Sequence, residues 1–519
     1  MSAAGFPSRL GAEAAASVLS RRVRPRRLIG VVALGWLLVL TAAAPSWGRP
    51  RGTIHWHGCG QGAPRNLQCG AIRVPLDYAH PGGRQIRLGF ARLRASDRKH
   101  RVGSLIVNPG GPGGAGSQVV AVEAAGGHLW HPALHRRFDL IGMDPRGIGL
   151  STPVRCDPAA FNRIVSFAPR SPAEFGRLAT HLRTVGRSCL RRTGPLLRHV
   201  DTVSVARDME RLRRALGDGK LNFLGLSYGA EIGMLYAQRY PGRIRAMTLD
   251  GVFDHGLPLT SVFADNARGY EDTLTRFAAW CATDTSCALH GRDVLALYDQ
   301  LVQRANQQPI PAPRCANQPC RRTVSGSDIQ LSAYSALLFK QPVPAIGEPG
   351  WNGLAQALAQ AEAGDASAFA APRATGPSDD PFPGLAVLCS EYPSFVHGFG
   401  DFAAMRLLGR TLAPHSQGFA EAWTGVLGCL RWPVPAADPP HRVNVHGAPP
   451  ILLVNATHDP STPYVWAQDA RTQIARSVLL TRDGDGHTSS LLQGSSTRAA
   501  IARYLITSKP PPPNTVLPD

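Results

Sequence analysis

Short, continuously apolar segments recur along this chain and limit what it can fold into. Between them lie stretches of helical periodicity, such as residues 202–216, where Val205, Met209 and Leu212 fall on one face. The clearest apolar segments are "GSLIVN", "FDLIGM", "LNFLGL", "RAMTLDGV", "PPILLVNATHD" and "SVLLTRDGDGH". Apolar strands that alternate with helices are typical of a parallel sheet covered on both faces. The pattern therefore predicts an α/β protein.

The alternation is interrupted in the middle of the chain. Residues 255–442 are rich in alanine, proline and glutamine, read as helical, and carry six of the ten cysteines. A chain of 519 residues is long enough for two domains or for one domain with an insertion. We therefore predict a core in two parts, residues 49–254 and 443–508, with an insertion at 255–442. The proline-rich tail, residues 509–519, is expected to be unfolded.

The first 48 residues have the organisation of an export signal. An arginine cluster, residues 21–27, precedes an apolar run of 17 residues, 28–44, and small residues with Pro45 follow. The run is long for a signal peptide and short for a membrane span. We predict a periplasmic or secreted protein with a cleaved signal, and an uncleaved N-terminal membrane anchor is the alternative. No other segment reads as a membrane span.

All ten cysteines follow this signal, and they are even in number and locally spaced. In an exported chain this indicates an oxidised framework of up to five disulfides, although spacing does not determine the connectivity. The suggested pairs are Cys59/Cys69, Cys156/Cys189, Cys281/Cys287, Cys315/Cys320 and Cys389/Cys429. No Cys-x-x-Cys spacing is present to suggest zinc.

The net charge of +20 does not indicate a nucleic-acid partner. Basic residues are spread along the chain, and only four of the 56 are lysine. So strong an arginine bias reflects coding composition better than a phosphate-binding stripe, and no RNA- or DNA-binding motif accompanies it.

The stretch "LGLSYGA" places Ser227 between Gly225 and Gly229. A Gly-x-Ser-x-Gly match is weak alone, but this one follows an apolar strand and precedes a helix-like segment. A strand–turn–helix of this kind is the nucleophile elbow of α/β-hydrolases, and it predicts that Ser227 is a nucleophile.

A serine nucleophile needs a base, and the base needs an orienting acid. Asp459 ends the strand "ILLVNAT", and His487 ends the next strand, 28 residues later. Both positions belong at the sheet edge that carries Ser227, in the chain order of this fold. We therefore predict a Ser227–His487–Asp459 triad. Asp250, at another strand end, is the substitute acid.

The glycine loop "NPGGPGGAG" follows a strand and allows two interpretations. Gly111, Gly113 and Gly116 satisfy the dinucleotide pattern G-x-G-x-x-G, which would suit a nucleotide-dependent oxidoreductase. In a hydrolase the same loop supplies an oxyanion hole. We favour the second interpretation, with the N–H of Tyr228 and one from Gly110 or Gly111 as donors. The pair His55 and His57 could bind metal but lacks a third ligand, so no metal or cofactor is expected.

These motifs, in this order, resemble the exported tripeptidyl-aminopeptidase-like branch of the prolyl-iminopeptidase group of α/β-hydrolases. The resemblance extends over residues 56–505 and includes "DLIGMDPRGIGLSTPVRC" and "LLVNATHDPSTPYVWA". It implies a helical cap over the active site and the release of short N-terminal pieces from peptides. Residue by residue, it matches Ser227, Asp459 and His487 to the triad. It also matches residues 110–113 to the oxyanion loop and 144–147 to a loop that we interpret as structural.

The resemblance also singles out Glu391 in "AVLCSEYP", where the family usually has aspartate. A carboxylate there would hold the free amino terminus of a peptide substrate. The alternative is a solvated loop glutamate tied by Cys389.

An aminopeptidase is thus the leading hypothesis. An esterase or amidase on small acyl substrates comes second, because the triad serves acyl transfer in general. A non-catalytic binding protein on the same fold is the remote alternative.

Overall fold

The apolar segments form neighbouring strands of one ten-stranded sheet. In the computed structural model, residues 54–379 and 381–518 are described, and the predicted export signal lies outside them. The strands of the described residues are β1 (His57–Gly58), β2 (Leu67–Pro75), β3 (Gln85–Leu93), β4 (Gly103–Asn108), β5 (Phe138–Met143), β6 (Leu221–Leu226), β7 (Ile244–Asp250), β8 (Ile310–Pro311), β9 (Thr323–Val324), β10 (Ile451–His458), β11 (Ser477–Asp485) and β12 (Val516–Pro518).

The strand order is β1-β2-β3-β5-β4-β6-β7-β10-β11-β12, with β8 and β9 in a separate small sheet. The strands β1, β2, β3 and β5 pair antiparallel in that order. From β5 to β12 every pairing is parallel. The carboxyl ends of β4, β6, β7, β10 and β11 therefore lie at one edge of the sheet, where ligands of open α/β sheets bind.

Helices cover both faces of this sheet. The α-helices of the described residues are α1 (Gly116–Ala124), α2 (Pro132–Arg137), α3 (Pro158–Phe161), α4 (Pro172–Thr193), α5 (Thr202–Ala215), α6 (Tyr228–Arg239), α7 (Leu259–Thr283), α8 (Val294–Gln307), α9 (Gly326–Leu337), α10 (Gly350–Glu362), α11 (Pro381–Cys389), α12 (Phe399–Leu412), α13 (Glu421–Gly428), α14 (Tyr464–Gln473) and α15 (Ser496–Thr507). Successive residues of one strand belong to different cores: Phe223 packs with α5, α6 and α14, and Leu224 packs with α1, α2 and α15. The prediction of a sheet buried on both faces is confirmed.

The helices α7 to α13 follow β7 and precede β10, within the region predicted to be an insertion. They have one apolar core of their own, centred on Phe277 and Trp351, and they share another, centred on Phe402 and Trp423, with α4 and α14. The sheet and these helices nevertheless form one compact unit. Among the described residues, no helix has the length and apolar character needed to cross a membrane.

The prediction that residues 509–519 are unfolded was wrong for the last residues of this tail. Residues Val516–Pro518 pair with β11 in parallel and add an edge strand to the sheet. A parallel edge strand uses backbone hydrogen bonds, which the side-chain pattern of a proline-rich segment does not reveal. Proline is tolerated on such an edge because one side of the strand needs no partner.

The ten cysteines form five disulfides in the structure. The pairs are Cys59–Cys69, Cys156–Cys189, Cys281–Cys287, Cys315–Cys320 and Cys389–Cys429, the pairs that the spacing suggests. One of them, Cys389–Cys429, joins the end of α11 to the residue after α13.

The loop after β5 stabilises the core through a buried ion pair. Arg146 is fully buried and donates to both carboxylate oxygens of Asp208, at 2.7 and 2.8 Å. Its remaining N–H groups donate to the carbonyl oxygens of Leu76, Pro75 and His199. The guanidinium thus joins three segments, which agrees with a structural role for residues 144–147.

Replacing Arg146 with methionine is expected to lower the free energy of unfolding by about 3–5 kcal/mol, because Asp208 would remain as an unpaired buried charge. Urea denaturation followed by circular dichroism measures the effect. The double variant Arg146→Met/Asp208→Leu is the matched control and should recover part of the loss. If the single variant is as stable as the wild type, the ion pair is not a structural element.

Candidate active site

Ser227 lies at the turn between β6 and α6, with φ 57° and ψ −127°. A positive φ is strained for a residue other than glycine, and such strain is typical of a nucleophile elbow. The turn is held by the Ser227 N–H, which donates to the carbonyl oxygen of Asp250 at 2.9 Å. A Cβ on Gly225 would lie 2.3 Å from the carbonyl oxygen of Gly229, so the motif needs glycine where strand and helix cross.

His487 and Asp459 form a buried pair beyond the ends of β11 and β10. The Nδ1 atom of His487 lies 2.8 Å from Oδ2 of Asp459. The backbone N–H groups of Ser461 and Thr462 donate to Oδ1 of Asp459, at 2.9 and 2.8 Å. These bonds orient the carboxylate, and the carboxylate in turn orients the imidazole.

The surroundings of His487 suit a general base. Burial alone would lower the pKa of this imidazole, but the negative charge of Asp459 and its hydrogen bond outweigh burial, so the pKa is raised above its usual value. Because Nδ1 is held by Asp459, the proton resides there and Nε2 presents its lone pair. The buried Nε2 atom has no hydrogen-bond partner among the described residues, and His487 lines the same cavity as Ser227.

The substitute acid, Asp250, has a different task. Its two carboxylate oxygens accept the N–H groups of Ser489 and Ser490, at 3.0 and 2.7 Å. Asp250 therefore positions the loop that follows His487, and it makes no hydrogen bond to the imidazole in the part of the chain that is described. The structure pairs His487 with Asp459, as the sequence predicts.

The glycine loop lies directly against the elbow. A Cβ on Gly110 would lie 2.8 Å from Cβ of Ser227 and 3.1 Å from the Tyr228 nitrogen. The Gly110 N–H already donates to Oδ1 of Asn108, at 2.9 Å. Tyr228 is the first residue of α6, so its N–H has no acceptor within the helix. Because the Gly110 N–H is already used, the geometry favours Gly111 over Gly110 as the second oxyanion donor. The position of the loop beside Ser227 favours the hydrolase interpretation over the dinucleotide interpretation.

Two cavities meet at this edge of the sheet. The smaller, about 500 Å³, is lined by Ser227 and His487. The larger, about 730 Å³, is lined by Tyr228 and many apolar side chains of the insertion. Gly111 and Glu421 line both, so the two spaces adjoin next to the nucleophile.

Glu421, which sequence reasoning missed, places a carboxylate at this junction. It is the first residue of α13, and its exposed side chain faces the enclosed cavities. Ser461 and Tyr334 donate hydroxyl hydrogen bonds to its Oε2, at 3.1 and 3.4 Å. Removal from bulk water raises the pKa of this carboxyl, although the nearby His487 and the hydrogen bonds oppose the rise. No motif surrounds Glu421, so only its position in space identifies it.

Glu391 does not reach either cavity. Its side chain is fully buried, and its Oε1 accepts the N–H of Thr202. The alternative of a solvated loop glutamate was wrong for the same reason. Glu421, and not Glu391, therefore presents a carboxyl group to these cavities.

The histidine pair near the N-terminal end of the described residues stays apart from this site. His57 is exposed, and its Nδ1 lies 2.8 Å from the carbonyl oxygen of Gly58. Neither His55 nor His57 belongs to a cluster of three possible metal ligands among the residues described.

Comparison with known proteins identifies a family profile and several relatives that match most of this chain. The profile of a family described as "TAP-like protein" matches residues 416–516. Serine protease Hip1 of Mycobacterium tuberculosis is 32% identical over 509 residues, which cover 91% of this chain and 91% of Hip1. Tripeptidyl aminopeptidase of Streptomyces coelicolor is 30% identical over 471 residues, covering 88% of this chain and 84% of that enzyme.

A further relative is named for a different activity. Carboxylesterase B of Mycobacterium tuberculosis is 33% identical over 468 residues, covering 86% of each chain. The names of these relatives thus refer to the cleavage of peptides in two cases and of carboxylic esters in the third.

Proposed function

Because this chain belongs to the family of α/β-hydrolases that includes serine protease Hip1 and the tripeptidyl aminopeptidases, and is a serine hydrolase, we propose that it is an exported aminopeptidase. It would release short N-terminal pieces, such as tripeptides, from peptides with a free amino terminus. The observation that carries this proposal is the Glu421 carboxylate, which lies at the junction of the two cavities. A carboxylate enclosed beside the nucleophile is a suitable partner for an ammonium group.

In the proposed mechanism, Oγ of Ser227 attacks the peptide carbonyl carbon while Nε2 of His487 accepts the hydroxyl proton. The carbonyl oxygen becomes an oxyanion, which the N–H groups of Tyr228 and Gly111 stabilise. The C–N bond then breaks as His487 returns the proton to the leaving amine. Water repeats these steps on the acyl-enzyme, releases the acid and restores Ser227.

We propose that residues 255–442 act as a cap over this chemistry. Helix α9 contributes Leu331 and Tyr334 to the cavity that Ser227 lines, and α13 contributes Glu421 and Thr424. The larger cavity lies within the range of about 300–1,000 Å³ that is usual for small-molecule sites. The residues that line the cavities would then recognise a bound peptide segment by its amino terminus and its side chains.

Export, to the periplasm or the medium, is part of the proposal. It is supported by the organisation of residues 1–48 and by the five disulfides, which persist in oxidising compartments. The proposed catalytic residues all follow residues 1–48 in the sequence, so the proposal holds whether the signal is cleaved or retained as an anchor.

An esterase acting on small acyl substrates is the second candidate. The similarity to carboxylesterase B favours it, and the triad geometry would serve an ester as well as an amide.

Peptides with free and acetylated amino termini separate the two candidates. We expect the purified enzyme to cleave free tripeptidyl-coumarin substrates and to lose activity on the acetylated peptides. Glu421→Gln should lower kcat/KM on the free peptides by about 10–150-fold, because one charge-assisted contact contributes about 1.5–3 kcal/mol.

Hydrolysis of p-nitrophenyl acetate by the same variant is the control and should change little. Equal cleavage of free and acetylated peptides by the wild type would contradict the aminopeptidase. Hydrolysis of esters alone would favour the esterase.

A further inference from the structure

We propose that His255, Asp438 and His441 form a binding site for a divalent metal ion, with zinc as the preferred ion. The three residues join the two connections between the sheet and the helical insertion. His255 lies between β7 and α7, where the chain leaves the sheet, and Asp438 and His441 lie between α13 and β10, where it returns. Nothing in the sequence indicates this cluster, because its members are brought together only by folding.

The ligand atoms already have the spacing of a metal site. Nε2 of His255 lies 3.1 Å from Nδ1 of His441 and 3.4 Å from Oδ2 of Asp438. Nδ1 of His441 lies 3.8 Å from the other carboxylate oxygen of Asp438, Oδ1. Zinc bonds of about 2.0–2.2 Å in tetrahedral geometry place neighbouring ligand atoms about 3.3–3.6 Å apart. An ion would therefore fit with small movements of Asp438 and of the exposed His441.

The carboxyl group of Glu231 holds the ring of His255 from behind. Nδ1 of His255 lies 2.6 Å from Oε1 of Glu231, which also accepts the hydroxyl hydrogen of Tyr392, at 2.8 Å. Such pairs of a carboxyl group and a histidine orient the ligands of most metal sites. The contact leaves Nε2 of the fully buried His255 next to Asp438 and His441.

One acceptor of this cluster lacks a hydrogen-bond partner. Oδ2 of Asp438 is buried without such a partner among the described residues, and it lies 3.4 Å from Nε2 of His255. A buried acceptor without a partner is costly, and a bound cation would satisfy it. Two imidazoles and one carboxylate form a ligand set that zinc favours.

An ion at this position would crosslink the two connections between the sheet and the insertion. It would hold the segment between β7 and α7 against the segment between α13 and β10. Through Glu231 it would also connect both to α6, the helix that begins at the nucleophile elbow. The ligand His441 is partly exposed, with 42% of its side chain accessible, so an ion can enter from solvent. Binding through Nδ1 of His441 would leave the ring proton on Nε2 and would replace the contact of Nδ1 with the carbonyl oxygen of Pro439, 3.1 Å away.

Zinc binding to the full chain tests the proposal. Protein without a polyhistidine tag is treated with EDTA and titrated with zinc chloride in a calorimeter. We expect one equivalent to bind with micromolar or tighter affinity and to raise the melting temperature by a few degrees, since an ion that binds the native state stabilises it. His441→Ala should weaken binding at least about tenfold and abolish the thermal shift. Asp438→Asn, which keeps the side-chain shape, should weaken binding as well.

His415→Ala is the matched control. His415 makes a similar partly exposed pair with Asp299, at 2.8 Å, outside any cluster of three possible ligands among the described residues. Its removal should leave zinc binding intact. Absence of stoichiometric binding by the wild type would overturn the site. Unchanged binding by His441→Ala, or loss in His415→Ala alone, would overturn it too.

Discussion

Replacing Ser227 with alanine is expected to lower kcat on the order of 10⁶-fold and to abolish labelling by a fluorophosphonate probe. The variant removes the only atom that the proposed mechanism uses to form the acyl-enzyme, and His487 then has no proton to accept. Losses of this size are typical when a triad nucleophile is removed. Probe labelling followed by intact mass spectrometry, together with hydrolysis rates for tripeptidyl-coumarin, measures both effects.

Stability distinguishes this loss from misfolding. Alanine retains the Cβ of Ser227, so the strained φ of 57° at the elbow is neither created nor relieved. We therefore expect a melting temperature close to that of the wild type. Labelling of Ser227→Ala at full strength would show that another residue is the nucleophile.

Replacing Asp459 with asparagine is expected to lower kcat by about 10⁴-fold, the size of loss that follows when the imidazole is held in the wrong tautomer. The hydrogen bonds around Asp459 impose that tautomer. Its Oδ1 accepts the N–H groups of Ser461 and Thr462, so an asparagine must keep its oxygen there. The NH₂ group then takes the position of Oδ2, 2.8 Å from Nδ1 of His487. It donates to Nδ1, and Nε2 carries the proton that should come from Ser227.

Asp250→Asn is the comparison variant. Its carboxylate holds the N–H groups of Ser489 and Ser490 and does not bond to His487, so we expect a smaller loss of kcat, below about 10²-fold, with a loss of stability of about 1–3 kcal/mol. Rates on p-nitrophenyl acetate and melting temperatures of both variants decide the matter. A larger rate loss in Asp250→Asn than in Asp459→Asn would assign the orienting acid to Asp250.

The architecture and the location of the proposed triad residues could be predicted because both depend on local patterns. Apolar runs such as residues 221–226 and 451–454 report strands that are buried on both faces, and parallel strands bring their carboxyl ends to one edge. Ser227, Asp459 and His487 each follow directly on such a strand end. Chain order and strand polarity were therefore sufficient to place them together.

The choice of a second proposed oxyanion donor needed more than the glycine pattern. The sequence offers both Gly110 and Gly111, and the structure distinguishes them, because the Gly110 N–H donates to Asn108 and Gly111 lines both cavities. The sequence also failed at the tail, where backbone pairing of Val516–Pro518 with β11 leaves no trace in side-chain periodicity.

The choice between Glu391 and Glu421 belongs to the tertiary structure. Both lie in the insertion, and the family pattern points to Glu391, yet packing buries Glu391 against Thr202 and turns Glu421 toward the cavities. The cluster of His255, Asp438 and His441 likewise exists only because the two ends of the insertion meet. The sequence by itself determined the sheet, the elbow and the positions of the proposed triad residues, because these follow from short-range periodicity and strand ends. The tertiary structure alone decided which carboxylate faces the cavities beside Ser227 and which histidines meet, because side-chain burial depends on contacts between residues far apart in the chain.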